Sequence, residues 1–221
     1  VEYMYSLEWL VGTLGDPTFA DRLERVAFNA LPATYSSDMW SHQYDQQVNQ
    51  IECSIRENRS WNTNGPDANI YGLEPNYGCC TANLSQGWPK FAANLWMRTP
   101  SNGIAAIAYA PSRLDTEIDG VPVSVELQTE YPFREDLQFI VRVKQAIDFP
   151  LLLRIPAWAN DATIRIGDET EVPKAGSFHT IERRWQSETT IQLSLPMTPQ
   201  AIPRPNGAVS IKRGPPLYAL R

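Results

Sequence analysis

Val121-Pro122-Val123-Ser124-Val125-Glu126-Leu127 carries an apolar residue at every second position. A period of two belongs to a strand with one face buried. The alternation returns at Phe139, Val141 and Val143, then at Leu151, Leu153 and Ile155. It recurs at Ile164 and Ile166, at Ile191, Leu193 and Leu195, and last at Val209 and Ile211. Pro, Gly, Asn and Asp punctuate the gaps. Short strands so spaced predict an antiparallel β-sandwich. The change of character falls near Asn102-Gly103, so the sandwich is expected over residues 103–221. No repeat with a period of roughly 20–50 residues is visible.

Before that boundary the period is helical. Leu7, Leu10, Val11 and Leu14 follow Tyr3 at helix spacing, and Gly15 stands where a C-cap would. Asp16-Pro17 reads as N-cap and first turn of a second helix. Phe19, Leu23 and Val26 continue its apolar face, with Asp21, Arg22, Glu24 and Arg25 expected mostly outside it. The two helices make an αα-hairpin, the repeating unit of helical barrels and bundles. A third helix is expected from about Thr81 to Asn94, with Leu84, Trp88, Phe91 and Leu95 buried and Pro89 kinking or restarting it.

Between Leu31 and Gly78 the periodicity fails, yet the stretch holds Trp40, His42, Tyr44, Asn49, Trp61, Asn64, Asn69 and Tyr71. Disordered segments are poor in aromatics, so an ordered loop is expected. Aromatic faces suit a sugar ring and amides suit its hydroxyls. The plainer alternative is a structured surface loop without a ligand.

The 221 residues are 43% hydrophobic and 20% charged, a composition for one large or two modest globular domains. With a formal net charge of −6 and no run of Lys and Arg, nucleic acid is not an expected partner. No apolar stretch approaches the roughly 20 residues that span a bilayer, so no membrane is expected either. The chain opens at Val1 in what reads as mid-helix and stops after Leu217-Tyr218-Ala219-Leu220 in what reads as mid-strand. It is therefore expected to be a piece of a longer protein, and its localisation stays open.

Three cysteines, Cys53, Cys79 and Cys80, do not make a disulfide framework. Neighbouring Cα atoms lie about 3.8 Å apart, short of the roughly 4.4 Å that an unstrained bridge needs. Cys79 and Cys80 are thus two thiols or two ligands to one ion. They open an expected helix, whose N-terminus favours a thiolate, and a soft divalent ion would favour it more. The alternative is a pair of small buried hydrophobes. Cys53 reads as structural and His179 as a surface residue of the sandwich. Asn58-Arg59-Ser60 and Asn83-Leu84-Ser85 fit the glycosylation pattern, a weak signal, and Asn83 falls in the expected helix.

The run Asn76-Tyr77-Gly78-Cys79-Cys80-Thr81-Ala82-Asn83, leading into Gln86-Gly87-Trp88-Pro89-Lys90-Phe91, resembles the cysteine-pair motif of glycoside hydrolase family 127 and its relative, family 146. Val1-Glu2-Tyr3-Met4-Tyr5-Ser6-Leu7-Glu8 is similar to the family's helix just beyond its Glu-x-Cys motif. Asp21-Arg22-Leu23-Glu24-Arg25 with Phe28-Asn29-Ala30-Leu31-Pro32 is similar to the next helix. Leu153-Arg154-Ile155-Pro156-Ala157-Trp158 and Lys212-Arg213-Gly214-Pro215-Pro216-Leu217-Tyr218-Ala219 resemble strands of its sandwich.

The resemblance implies a mixed fold, all-α then all-β. Residues 1–102 would be the C-terminal part of an (α/α)6-barrel of six-hairpin type, and residues 103–221 the antiparallel β-sandwich. It implies a retaining glycosidase that releases β-L-arabinofuranose or a similar sugar from plant-type glycans or glycoproteins. It also implies a zinc ion held by one Glu and three Cys. Carried over, Cys79 is nucleophile and zinc ligand, and Cys80 a second zinc ligand. Tyr44, in Gln43-Tyr44-Asp45-Gln46, matches a family tyrosine near the nucleophile. His42 and Glu2 are further candidates to touch the substrate, although a lone loop histidine is more simply an exposed one and Glu2 a solvated helix position. The family's Glu-x-Cys ligands and acid/base Glu fall just before Val1, so the zinc site is incomplete here and the chain by itself is expected to be inactive. Thr81-Ala82 departs from the Pro-rich sequence of some members, which leaves the sugar specificity open. A carbohydrate-binding module beside a catalytically silent helical remnant, and a purely structural metal site, are the alternatives. Sandwich edges are where a second copy would pair as a homodimer.

Overall fold

The computed structural model describes residues 1–50, 52–58, 64–73 and 76–219. Trp61, and Arg59 and Ser60 of the first glycosylation pattern, lie outside the described residues, as does Leu220.

Two helices open the chain. Helix α1 (Glu2–Leu14) ends at Gly15, whose φ of 66° is the left-handed conformation that glycine adopts without a Cβ penalty. Helix α2 (Pro17–Arg25) starts as expected, with the Asp16 carboxylate accepting from the Thr18 N–H at 2.9 Å and Pro17 in the first turn. The chain continues through a π-helical turn (Val26–Ala30) into the short α3 (Leu31–Ala33). Among the described residues no helix or strand follows until α4 (Gly78–Leu84) and α5 (Gly87–Ala93). The expected third helix is thus two. The break falls at Ser85-Gln86, and Pro89 sits in the first turn of α5, where its missing N–H costs nothing.

Among the described residues thirteen short strands follow, from β1 (Trp96–Arg98) to β13 (Leu217–Tyr218), and the described structure is mixed and mostly β. A four-stranded sheet has the order β1-β2-β6-β9, with β2 (Ile104–Ala106), β6 (Ile147–Ile155) and β9 (Ser177–Trp185). A six-stranded sheet has the order β3-β4-β5-β10-β7-β8, formed by β3 (Ser112–Ile118), β4 (Val121–Thr129), β5 (Asp136–Val143), β10 (Glu188–Ser194), β7 (Thr163–Ile166) and β8 (Glu169–Glu171). One core lies between them: Val123, Val125 and Leu127 with Phe139 and Val141 on one side, Leu151, Leu153, Ile155 and Trp185 on the other. The alternation that predicted these strands is this inward face. The pairing is antiparallel except between β2 and β6, where Ile104 faces Leu151 in a parallel register. A third, three-stranded sheet joins β11 (Gln200–Pro203), β12 (Val209–Lys212) and β13. In β12 the expected inward residues Val209 and Ile211 are 48% and 39% exposed, and Ser210 is the buried one.

Strand β2 is buried on both faces. Ile104 and Ala106 join the sandwich core, whereas Ala105, Ile107 and Ala108 pack against the helices. The helical core holds Met4, Leu7, Leu23, Ala27, Leu31, Phe91 and Leu95. Leu10, Leu14, Tyr3 and Trp88, expected on buried faces, are exposed. The buried stripe of α1 runs instead through Met4, Leu7, Glu8 and Val11.

One polar joint ties the two halves. Arg154 is on the face of β6 opposite Leu153 and Ile155, and is fully buried. Its guanidinium donates to the Ile107 carbonyl at 2.6 Å and to Asp21, and stands 2.5 Å from the Glu24 carboxylate. Glu24 also accepts from the Tyr131 hydroxyl at 2.5 Å and the Tyr109 N–H at 2.9 Å. Glu24 is therefore inside the fold, not on the solvated face of α2 where its charge suggested.

Candidate active site at the cysteine pair

Gly78, Cys79 and Cys80 form the first turn of α4, behind Tyr77 as N-cap. The Tyr77 carbonyl accepts from the Cys80 N–H at 2.9 Å and the Thr81 N–H at 3.2 Å, which winds the turn. Cys79 is exposed and Cys80 half-buried. Their sulfurs lie 3.6 Å apart. Burial pushes the Cys80 thiol up, the neighbouring Cys79 adds to this, and the amino group of Val1 pulls the other way. The start of α1 is thus within electrostatic reach of the pair.

Two thiolates on one tetrahedral zinc, each about 2.3 Å from the metal, stand roughly 3.8 Å apart. The separation here matches, and a soft donor set suits that ion. A cation would also remove the mutual opposition that raises the Cys80 thiol. Among the described residues no group of three or more His, Cys, Asp and Glu side chains could hold a metal. Within those residues the pair offers two sulfur donors.

The long loop comes to this turn through His42. Its N–H and carbonyl bridge to Gly72, at 3.0 and 3.1 Å, which closes the loop's two arms. Its side chain is 9% exposed, not the solvated loop histidine of the plainer expectation. The ring Nε2 lies 3.0 Å from the Thr81 hydroxyl, next to Cys80 in sequence. Tyr44 is stacked on Tyr77, ring centres 3.9 Å apart and planes 7° from parallel, and keeps 36% of its surface exposed. The loop thus delivers His42 and Tyr44 to either side of the residues flanking the cysteines. Glu2 is exposed in the first turn of α1, beside Val1. Tyr77 and Thr81 were in the motif but had not been singled out. Their role comes from contacts with a loop more than thirty positions away, which no local spacing reveals.

The other singled-out residues are elsewhere. The Cys53 thiol is exposed and donates to the Asn69 carbonyl at 2.9 Å. His179 is half-buried and paired with Glu171 at 3.0 Å. Asn83 lies in α4, its amide donating to the Cys79 carbonyl at 2.6 Å. Among the described residues no helix is long and apolar enough to cross a membrane, which says nothing of a β-barrel.

Residues 103–197 match the family described as beta-L-arabinofuranosidase, GH127 middle domain. Among solved structures the chain is similar to a GH127 β-L-arabinofuranosidase from Geobacillus stearothermophilus T6, with a TM-score of 0.78 and 23% identity. That match covers 97% of this chain and 34% of the other. A protein described as a glycoside hydrolase aligns with a TM-score of 0.81 at 19% identity, over 97% of this chain and 36% of its own. A GH127 β-arabinofuranosidase aligns with a TM-score of 0.76 at 20% identity, over 97% of this chain and 35% of its own. The chain thus spans about a third of the length of the structures it resembles. None of the curated proteins matches. The cysteine pair precedes the matched domain and is covered by the likeness of fold alone. On these matches residues 103–197 are similar to the GH127 middle domain, and the fold of the chain is similar to that of GH127 structures.

Proposed function

We propose that the chain supplies the nucleophile side of a retaining glycosidase that cleaves β-L-arabinofuranosides or a similar furanoside of plant-type glycans. The observation that carries this reading is the pair of sulfurs 3.6 Å apart on an accessible helix turn. The GH127-type fold around them supports it. In this reading residues 1–102 are the end of an (α/α)6-barrel, and the remaining two zinc ligands and the acid/base Glu precede Val1.

Zinc bound to Cys79 and Cys80 would keep both sulfurs ionised at neutral pH. Cys79, the exposed one, attacks the anomeric carbon. The carbon–oxygen bond to the leaving group breaks, and that oxygen takes a proton from a general acid. Water then cleaves the carbon–sulfur bond, giving its proton to the same group as base, and configuration is retained over the two displacements. Tyr44, stacked on Tyr77, offers its outer face and hydroxyl to the sugar. His42, tied to Thr81, holds the loop against the turn. Glu2 is a candidate contact to the substrate.

Zinc content and turnover test this together. The chain of 221 residues is expected to hold little zinc and to leave an aryl β-L-arabinofuranoside uncleaved. A polypeptide extended upstream through a Glu-x-Cys should hold close to one zinc, with turnover lost in Cys79→Ser. No zinc in the longer form, or turnover that survives Cys79→Ser, would sink the reading. Equal loss of stability in Cys79→Ser and Cys80→Ser, without any turnover in the parent, would favour a structural metal site.

A further inference from the structure

A recess with no cysteine in its walls lies between α2, residues 46–49 of the long loop and the β11–β13 sheet. It consists of two cavities of about 950 and 740 Å³ that share Arg25, Gln46 and Gln47 in their walls. Neither is lined by Cys79, Cys80, His42 or Tyr44. Asn29 fixes the floor, its amide donating to the Pro215 carbonyl at 3.0 Å and accepting from the Leu217 N–H at 2.6 Å.

The walls are cationic in a chain whose acids outnumber its bases, 25 to 19. Arg204 and Arg25 line the larger cavity, and Arg22 with Arg25 the smaller. Among the described residues none of the three is in a salt bridge, whereas Arg142, Arg154, Arg184 and Arg213 each are. Arg204 is held by one edge, Nε to the Ser210 hydroxyl at 2.9 Å. Lys212 adds a further cation near Arg25, and together with burial that neighbour pushes its ammonium down.

An excess of guanidinium forks in a recess calls for a planar anion such as a carboxylate. The rest of the lining says what carries it. The exposed Asn206 amide suits a hydroxyl, and the exposed rings of Tyr3 and Tyr71 offer flat apolar faces in the smaller cavity. A recess of this volume takes a ligand of a few rings. A bare phosphate would leave the Asn206 amide and the rings unused. We propose that this recess binds an acidic saccharide, the carboxylate of a uronate residue resting on Arg25 and Arg204. The site is independent of the reaction assigned to Cys79.

Titration calorimetry of the chain with trigalacturonate, maltotriose and inorganic phosphate tests this. Trigalacturonate should bind, with maltotriose and phosphate each weaker by about tenfold or more. Arg25→Gln, at an exposed position, should weaken trigalacturonate roughly tenfold, as should Arg204→Gln, with circular dichroism showing the fold retained. A Cys79→Ser, Cys80→Ser double variant should bind it as the parent does. The proposal is overturned if trigalacturonate does not bind, or if maltotriose or phosphate binds equally well. Undiminished binding in folded Arg25→Gln, or loss in the cysteine double variant alone, overturns it too, the latter by placing the acidic sugar at the cysteine turn.

Discussion

The Arg154 guanidinium and the Glu24 carboxylate, 2.5 Å apart, are both cut off from solvent and belong to different halves of the chain. Burial pushes the Glu24 carboxyl up, against the pull of Arg154 and the Tyr131 and Tyr109 donors. Removing one member of such a pair leaves the other charged and unpaired, which costs about 3–5 kcal/mol. Arg154→Leu should lose that much in a denaturant titration, a large fraction of the stability of a typical domain. Glu24→Gln should lose less, because its carbonyl still accepts from the Tyr109 N–H, its amide N–H can donate to the Tyr131 hydroxyl oxygen, and Asp21 still neutralises Arg154. Equal losses in the two variants would refute this account of the joint.

The contact between His42 and Thr81 makes a narrower test. A buried imidazole nitrogen deprived of its side-chain partner costs about 1–3 kcal/mol. Thr81→Val keeps the shape and removes the hydroxyl, whereas Thr81→Ser keeps the hydroxyl. The midpoint of unfolding should fall in Thr81→Val and stay near the parent's in Thr81→Ser. Amide exchange should rise at His42, Gln43 and Gly72, whose bridges the ring anchors to α4. A fall in both variants alike would mean that the methyl contact, not the hydrogen bond, holds the loop.

The sandwich could be read from sequence wherever one face of a strand is buried. Val123, Val125 and Leu127 alternate because their neighbours meet water or a second, partly open face. The rule fails for β2, where Ile104-Ala105-Ala106 is apolar throughout because helices cover the side opposite the core. It fails again in β12, where the small third sheet buries Ser210 and leaves the two aliphatics outside. Glu24 was misplaced for another reason: a charge reads as solvent-facing until its partner is known, and the same joint's Asp21 and Arg154 are 133 positions apart. The cysteine turn was visible as a motif, since adjacent residues carry it. The approach of His42 and Tyr44 to that turn depends on how a loop without period folds back, and no local pattern encodes it.

Glu8 gives the fold a pH dependence whose sign can be worked out. It is 2% exposed on α1, one oxygen accepting from the Asn94 amide at 2.9 Å and the other without a partner. Burial raises its carboxyl above the ordinary 4.5, only partly offset by Lys90 and Asn94. A raised carboxyl means that folding favours the protonated form. Its contribution is therefore fully present below the unfolded value and is lost as the pH climbs through the folded one. Glu8→Gln is neutral at every pH and keeps an oxygen for Asn94. Its melting temperature should match the parent's in acid and exceed it near neutrality by roughly 2–4 °C, the shift that about 1 kcal/mol produces in a chain of this size. Melting curves of both forms from acid to neutral pH decide the point. A variant less stable than the parent at neutral pH would show that Lys90 holds Glu8 as a net favourable ion, and that the sign is reversed.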